Sequence, residues 1–172
     1  MTVVMVHDIW DSGAMFGPLS QALTTRGHVC LMPSFTPNDG RLGIADLAEK
    51  LNAYILTHVS EGAPIALVGF SMGTLVSRYY LEMLGGYQRT RAFISISGPH
   101  GGTFMAYFYP GRGAQDMRFG SALLRELNAK SECLTGLTIH SFWTPLDLMI
   151  VPARSSVWVL AQNHRVWSLL HP

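Results

Sequence analysis

Charge is scarce in this chain. Only 13% of the 172 residues are Asp, Glu, Lys or Arg, about half the share of an ordinary soluble domain. Twelve basic side chains against eleven acidic ones leave a formal net charge of +1. There is no basic stripe, which excludes nucleic acid as an expected partner. Cysteine is nearly absent: Cys30 and Cys133 stand far apart, with no CxxC pair and no Cys/His cluster. That excludes a zinc site and a disulfide framework, and both thiols read as small buried apolar residues. No apolar run reaches the ~18 residues of a transmembrane segment. The N-terminus lacks a basic region followed by an apolar stretch and a small-residue cleavage site. The expectation is a soluble, cytoplasmic protein. Repeats and low-complexity blocks are also missing.

Apolar residues, by contrast, make up 48%. A disordered tail or a coiled coil is never this apolar. The length fits one domain, residues 1–172.

The pattern alternates. Thr2 to Val6 is an apolar, β-branched run suited to a strand covered on both faces. A helix follows from about Pro18 to Arg26, stopped by Gly27, then a strand from Val29 to Met32. Ser34 to Arg41 reads as a loop. Ile44, Leu47, Leu51, Tyr54, Ile55 and Val59 recur at helical spacing. Ile65 to Phe70 is a third strand, Met72 to Leu84 a helix closed by Gly85 and Gly86, and Ala92 to Ile96 a fourth strand. Leu137 to Phe142 is another. The tail, Val157 to Leu170, holds one or two more, the last placed at Arg165 to Leu170. Strands alternating with helices over short connections predict an α/β architecture, a mostly parallel central sheet with helices on both faces. Residues 101–136 break the alternation and read as an inserted, cap-like segment on the ligand side, or else as an excursion packed on the sheet. In such sheets ligands sit beyond the carboxyl ends of the strands.

Gly69-Phe70-Ser71-Met72-Gly73 has the form GxSxG. Alone the pattern is weak. Its setting is informative, because an apolar strand leads in and a helix leads out, as a nucleophile elbow requires. The tight turn demands small residues two positions either side of Ser71. The helix N-terminus beneath it favours developing negative charge. Acyl transfer needs two N–H donors for the oxyanion. One belongs to Met72, the other to the loop after the first strand, where Ile9 is favoured over Trp10. His7 is expected to brace that loop rather than to catalyse.

These residues resemble the bacterial lipases and esterases of the α/β-hydrolase fold. Val3-Val4-Met5-Val6-His7-Asp8-Ile9-Trp10 looks like their opening strand and oxyanion loop. Gly69 to Gly73, followed by Ser97-Gly98-Pro99-His100-Gly101-Gly102-Thr103, looks like their elbow and the segment after the next strand. Thr144-Pro145-Leu146-Asp147 with Val151-Pro152 and Ser155-Ser156 is similar to their acid loop. The resemblance implies a serine carboxylic ester hydrolase acting on lipid-like esters through an acyl-enzyme, with neither cofactor nor metal. A transient contact with a lipid surface fits such a substrate. Asp8 stands where the family usually has glycine, and a charge beside the oxyanion hole is expected to lower efficiency. The family usually continues with a closing helix where this chain has Pro172, so the fold is expected to be minimal or C-terminally shortened.

The triad order in this fold is Ser, acid, His. Asp147 alone follows a late strand and precedes the final segment; Asp116, Glu126 and Glu132 read as solvated charges. Two histidines follow, His164 and His171. Family-like order through Pro152, Ser155, Ser156, Ala161 and Asn163 favours His171, with His164 kept open. Trp10, Phe35 and Phe104 are expected to line an acyl pocket. The same triad serves acyl transfer or thioester cleavage. An impaired binding or scaffold protein is the alternative of a different class.

Overall fold

A computed structural model describes residues 1–168. Six strands form one sheet: β1 (Thr2–Val6), β2 (Val29–Leu31), β3 (Ile65–Phe70), β4 (Thr90–Ile96), β5 (Thr138–Trp143) and β6 (Gln162–Arg165). Their spatial order is β2-β1-β3-β4-β5-β6, and every pairing is parallel. All six residues of β3 are buried, as its unbroken apolar run requires at the centre of a doubly covered sheet.

The period-2 alternation of strands sorts their side chains between two apolar clusters. Val4, Val6, Leu67, Phe93 and Ile139 face three helices: α2 (Ile44–His58), α3 (Met72–Met83) and α5 (Ala122–Lys130). Ile44, Leu47, Leu51 and Ile55 recur at helical spacing and all are buried, which anchors α2. Val3, Met5, Ala66, Val68 and Phe70 point the other way, towards Phe16 and Leu23, the latter on α1 (Gly17–Thr24). Among the described residues no helix is long and apolar enough to cross a membrane.

Two placements differ from expectation. The last described strand is Gln162–Arg165; of the strand expected at Arg165 to Leu170, residues 166–168 are not in a strand and residues 169 and 170 lie outside the described residues. β6 pairs with β5 through Phe142↔His164 and Trp143↔Arg165. Being an edge strand that is largely exposed, it needs no apolar run, whereas the apolar residues just beyond it drew the sequence reading too far along. Asp116 is also not a solvated charge. It ends α4 (Arg112–Asp116), and its Oδ2 accepts the Ile44 N–H at 3.0 Å, capping α2 from another segment. Burial pushes its carboxyl above the usual range, against the pull of that N–H and of Arg112.

α3 carries a fully buried ion pair one turn apart. Arg78 Nε donates to Glu82 Oε1 (2.7 Å) and Arg78 Nη2 to Glu82 Oε2 (3.2 Å) and to Asn128 Oδ1 (3.2 Å). The guanidinium lies over the Trp158 ring, 4.6 Å from its centroid. Burial still pushes the Glu82 carboxyl up despite Arg78. Removing one partner strands a buried charge, at about 3–5 kcal/mol. Glu82→Leu is expected to lower unfolding stability by that amount in urea titration. A loss below 1 kcal/mol would show that Asn128 and Trp158 alone suffice for Arg78.

Candidate active site

Ser71 joins β3 to α3 with φ +50°, a backbone region that non-glycine residues seldom occupy and that functional sites often hold under strain. Its neighbours enforce the conformation. Ser71 N–H donates to Ile96 O at the end of β4 (2.9 Å), and Thr74 N–H donates to Ser71 O (3.0 Å). Thr74 Oγ1 reaches back to Gly69 O (3.0 Å). A Cβ on Gly69 would lie 2.6 Å from Thr74 Cα. One on Gly73 would lie 2.5 Å from His7 O and closer still to Val6 O. Both flanking glycines are therefore required by close backbone approach, as the motif predicts.

The loop after β1 faces this turn. His7 is buried, its Nε2 accepts the Phe35 N–H (3.3 Å) and its Nδ1 bonds Asp8 O (2.7 Å). An accepting Nε2 leaves the proton on Nδ1, so the ring braces the loop, in line with the sequence reading. Trp10 has φ +59° and its N–H donates to Asn38 O (3.0 Å). Trp10's own amide is thus taken, which favours Ile9 of the two candidate donors. The Met72 N–H, the other candidate, donates to Asp8 Oδ1 at 3.1 Å.

Ser71, Asp8, Ile9 and Trp10 line one apolar pocket with Met105, Met117, Met149 and Ile150, among others. It encloses about 30 Å³, room for one or two waters. Of the three predicted acyl-pocket residues only Trp10 lines it. Phe35 is turned inward, its ring tilted against His7 at 5.4 Å. Phe104 is 53% exposed, packed edge-on against Phe108. The stretch from Phe104 to Tyr109 reaches the pocket through Met105, Ala106 and Tyr109 rather than through Phe104. Flexible methionines fill an irregular slot more readily, and no local pattern marks them. Segment 101–136 divides at this point. Its first part supplies Thr103, Met105, Ala106, Tyr109, Ala114 and Met117 to the pocket. Its second part, α5, buries Leu123, Leu124 and Leu127 against α3 and the core.

Asp147 is buried in the loop after β5, and its Oδ1 accepts the N–H groups of Met149 and Ile150, both at 2.9 Å. Such charge-assisted bonds fix the carboxylate's direction. Thr103, whose role the sequence did not reveal, clamps this loop. Its Oγ1 donates to Met149 O (2.7 Å) and accepts from Val151 N–H (3.0 Å). His100, in the same segment, bonds Ser95 Oγ through Nε2 (2.9 Å) and stacks on Trp158. Burial, reinforced by Arg78, holds its pKa well below the ordinary histidine value, so it is an uncharged brace.

The two candidate bases part company. His164 sits mid-strand in β6, its Nε2 2.9 Å from His140 Nδ1 and its ring stacked on Phe142. His171 lies outside the described residues. The chain leading to it passes the acid loop, since Val166 N–H donates to Trp143 O (2.8 Å) and Thr144 Oγ1 to Ser168 O (2.9 Å). Among the described residues no three His, Cys, Asp or Glu side chains are placed to hold a metal.

A parallel sheet with a strained serine between a central strand and the following helix defines the α/β-hydrolase fold. The mature lipase BlEst2 of Bacillus licheniformis superposes with a TM-score of 0.76 at 13% identity, over 99% of this chain and 84% of that one. A monoacylglycerol lipase of Paleococcus ferrophilus gives 0.73 at 11% identity, over 99% and 86%. An extracellular α/β-hydrolase of a Paenibacillus species gives 0.69 at 12%, over 99% and 91%. At such identities the likeness is one of fold. The chain belongs to the palmitoyl protein thioesterase family, whose model matches residues 2–144. No curated protein matches it.

Proposed function

We propose that the protein is a serine hydrolase that cleaves lipid-like carboxylic esters through an acyl-enzyme on Ser71. The observation that carries this reading is the strained Ser71 at the N-terminus of α3, opening on an apolar pocket. Ser71 Oγ attacks the acyl carbon while His171 takes its proton. His171 then gives that proton to the leaving alkoxide as the ester C–O bond breaks. Water, deprotonated by the same imidazole, attacks the acyl-serine, and the imidazolium returns that proton to Ser71 Oγ as the acyl C–Oγ bond breaks, which releases the carboxylic acid. Asp147 orients the imidazole and stabilises its charged form. The N–H groups of Ile9 and Met72 receive the oxyanion. Delivery of the chain to the acid loop three residues before His171 supports that choice, and the engagement of His164 with His140 argues against the alternative.

The mouth of the pocket supports a lipid-like substrate. Trp10 lines the pocket and is exposed; Phe104, Tyr107 and Phe108, whose rings meet one another, and Leu148, beside the pocket-lining Met149, are exposed too, and exposed apolar side chains of this kind mark surfaces that meet another apolar body. Transient contact with a lipid surface belongs to this reading. A second reading, hydrolysis of acyl thioesters, is favoured by the description of the family itself. A thiolate leaves more readily than an alkoxide, so that reaction leans less on His171 as acid.

The test is turnover of p-nitrophenyl butyrate and of an acyl thioester by wild type, His171→Ala and His164→Ala. General acid–base catalysis supplies about 10²–10⁴ in rate. His171→Ala is expected to lose at least about a hundredfold on the oxygen ester, and His164→Ala no more than a few-fold. Loss confined to His164→Ala would transfer the base to β6.

A further inference from the structure

The side chain of Asp8 occupies the place where an oxyanion should arrive. Its Oδ1 accepts the Met72 N–H at 3.1 Å, the amide proposed above as an oxyanion donor. An amide carries one hydrogen, so a carboxylate bonded there and an acyl oxygen exclude each other. The contact is favourable in its own right. It is charge-assisted and lies at the N-terminus of the twelve-residue helix α3, where negative charge is stabilised. The loop holds Asp8 in this position. Its carbonyl is bonded by the His7 ring (2.7 Å) and by the Asp11 N–H (3.3 Å).

We infer that Asp8 is an autoinhibitory group: its carboxylate stands in the oxyanion hole in place of the substrate, and an acyl substrate must displace it before Ser71 can act. This rests on the serine-hydrolase reading and adds regulation to the same site. The carboxylate opposes the reaction twice, by withholding one donor and by setting a like charge beside the oxyanion. One oxyanion donor is worth about 10²–10³ in kcat.

The experiment measures kcat and KM for p-nitrophenyl butyrate in wild type, Asp8→Asn and Asp8→Gly, each with and without Ser71→Ala. Asp8→Asn keeps the shape, removes the charge and frees the site. It is expected to raise kcat at least tenfold with KM changed less than threefold, and Asp8→Gly to do the same. All of that turnover should vanish with Ser71→Ala. A kcat for folded Asp8→Asn at or below the wild-type value, with turnover still dependent on Ser71, overturns the inhibitory role and leaves the hydrolase intact. Absence of Ser71-dependent turnover in all three proteins instead removes the hydrolase reading, and this inference with it. Binding of butylboronic acid, which forms a tetrahedral anion on a serine oxygen, gives a readout apart from turnover. Its Kd should fall at least tenfold in Asp8→Asn, and an unchanged Kd counts against the inference.

Discussion

Ser71→Ala is expected to reduce kcat/KM for p-nitrophenyl butyrate by at least about 10⁴-fold while leaving the unfolding midpoint within a few degrees of wild type. The magnitude follows from triad behaviour, where removing the nucleophile leaves only the acceleration from the oxyanion hole and binding. The retained stability follows from geometry. The interactions shown at Ser71 are backbone bonds to Ile96 and Thr74, which alanine preserves. Alanine does keep the cost of a positive φ at this position, but serine bears the same cost. Here Asp8 already blocks one proposed donor, so wild-type turnover starts low and the ratio is best read in the Asp8→Asn background. A residual rate above one hundredth of the parent would mean that another group carries the chemistry.

The second large effect is on folding. Gly73→Val places branched carbon against the carbonyl oxygens of Val6 and His7, at the end of β1. Neither oxygen can yield, because β1 lies between β2 and β3 and the His7 ring pins the following loop. α3 would have to lift from the sheet that it covers with Leu75, Val76 and Leu81. A destabilisation of about 4 kcal/mol or more is expected, the range reserved for disrupted cores and strained backbone. Gly17→Ala is the control. A Cβ there meets nothing within 4 Å, and the change is expected to be neutral or stabilising by up to about 1 kcal/mol. Urea unfolding of the two variants checks both, and similar midpoints would contradict the steric account.

The contrast between these glycines shows what was legible in the sequence. Gly69 and Gly73 were readable as obligatory because a short motif fixed their place between an apolar strand and a helix. Strands β1 and β3 were readable because their apolar runs are buried, and burial is what apolar patterning reports; β2, β4 and β5 are only partly buried and were readable from the alternation of strands with helices. β6 falls within the tail read as holding one or two strands, but its bounds were not readable, for the converse reason. Gln162, Asn163 and Arg165 are exposed, and their strand is defined by pairing with β5, which no local pattern encodes. The cap of α2 by Asp116 joins positions 72 residues apart and is likewise invisible in one dimension. Within the site, residue types with one evident chemistry, Ser71 and Asp147, could be singled out. Phe35 and Phe104 could not be placed, because their direction depends on how His7 and the 103–108 turn pack. The clamp by Thr103 and the bond from Met72 to Asp8 arise only when three loops meet above the sheet.

The most direct measurement is mass-spectrometric mapping of a fluorophosphonate adduct. A single addition is expected, located on the peptide that contains Ser71, absent from Ser71→Ala and formed faster in Asp8→Asn. Adduct on another residue, or folded protein that stays unmodified even with Asp8 neutralised, would contradict a nucleophile at this turn.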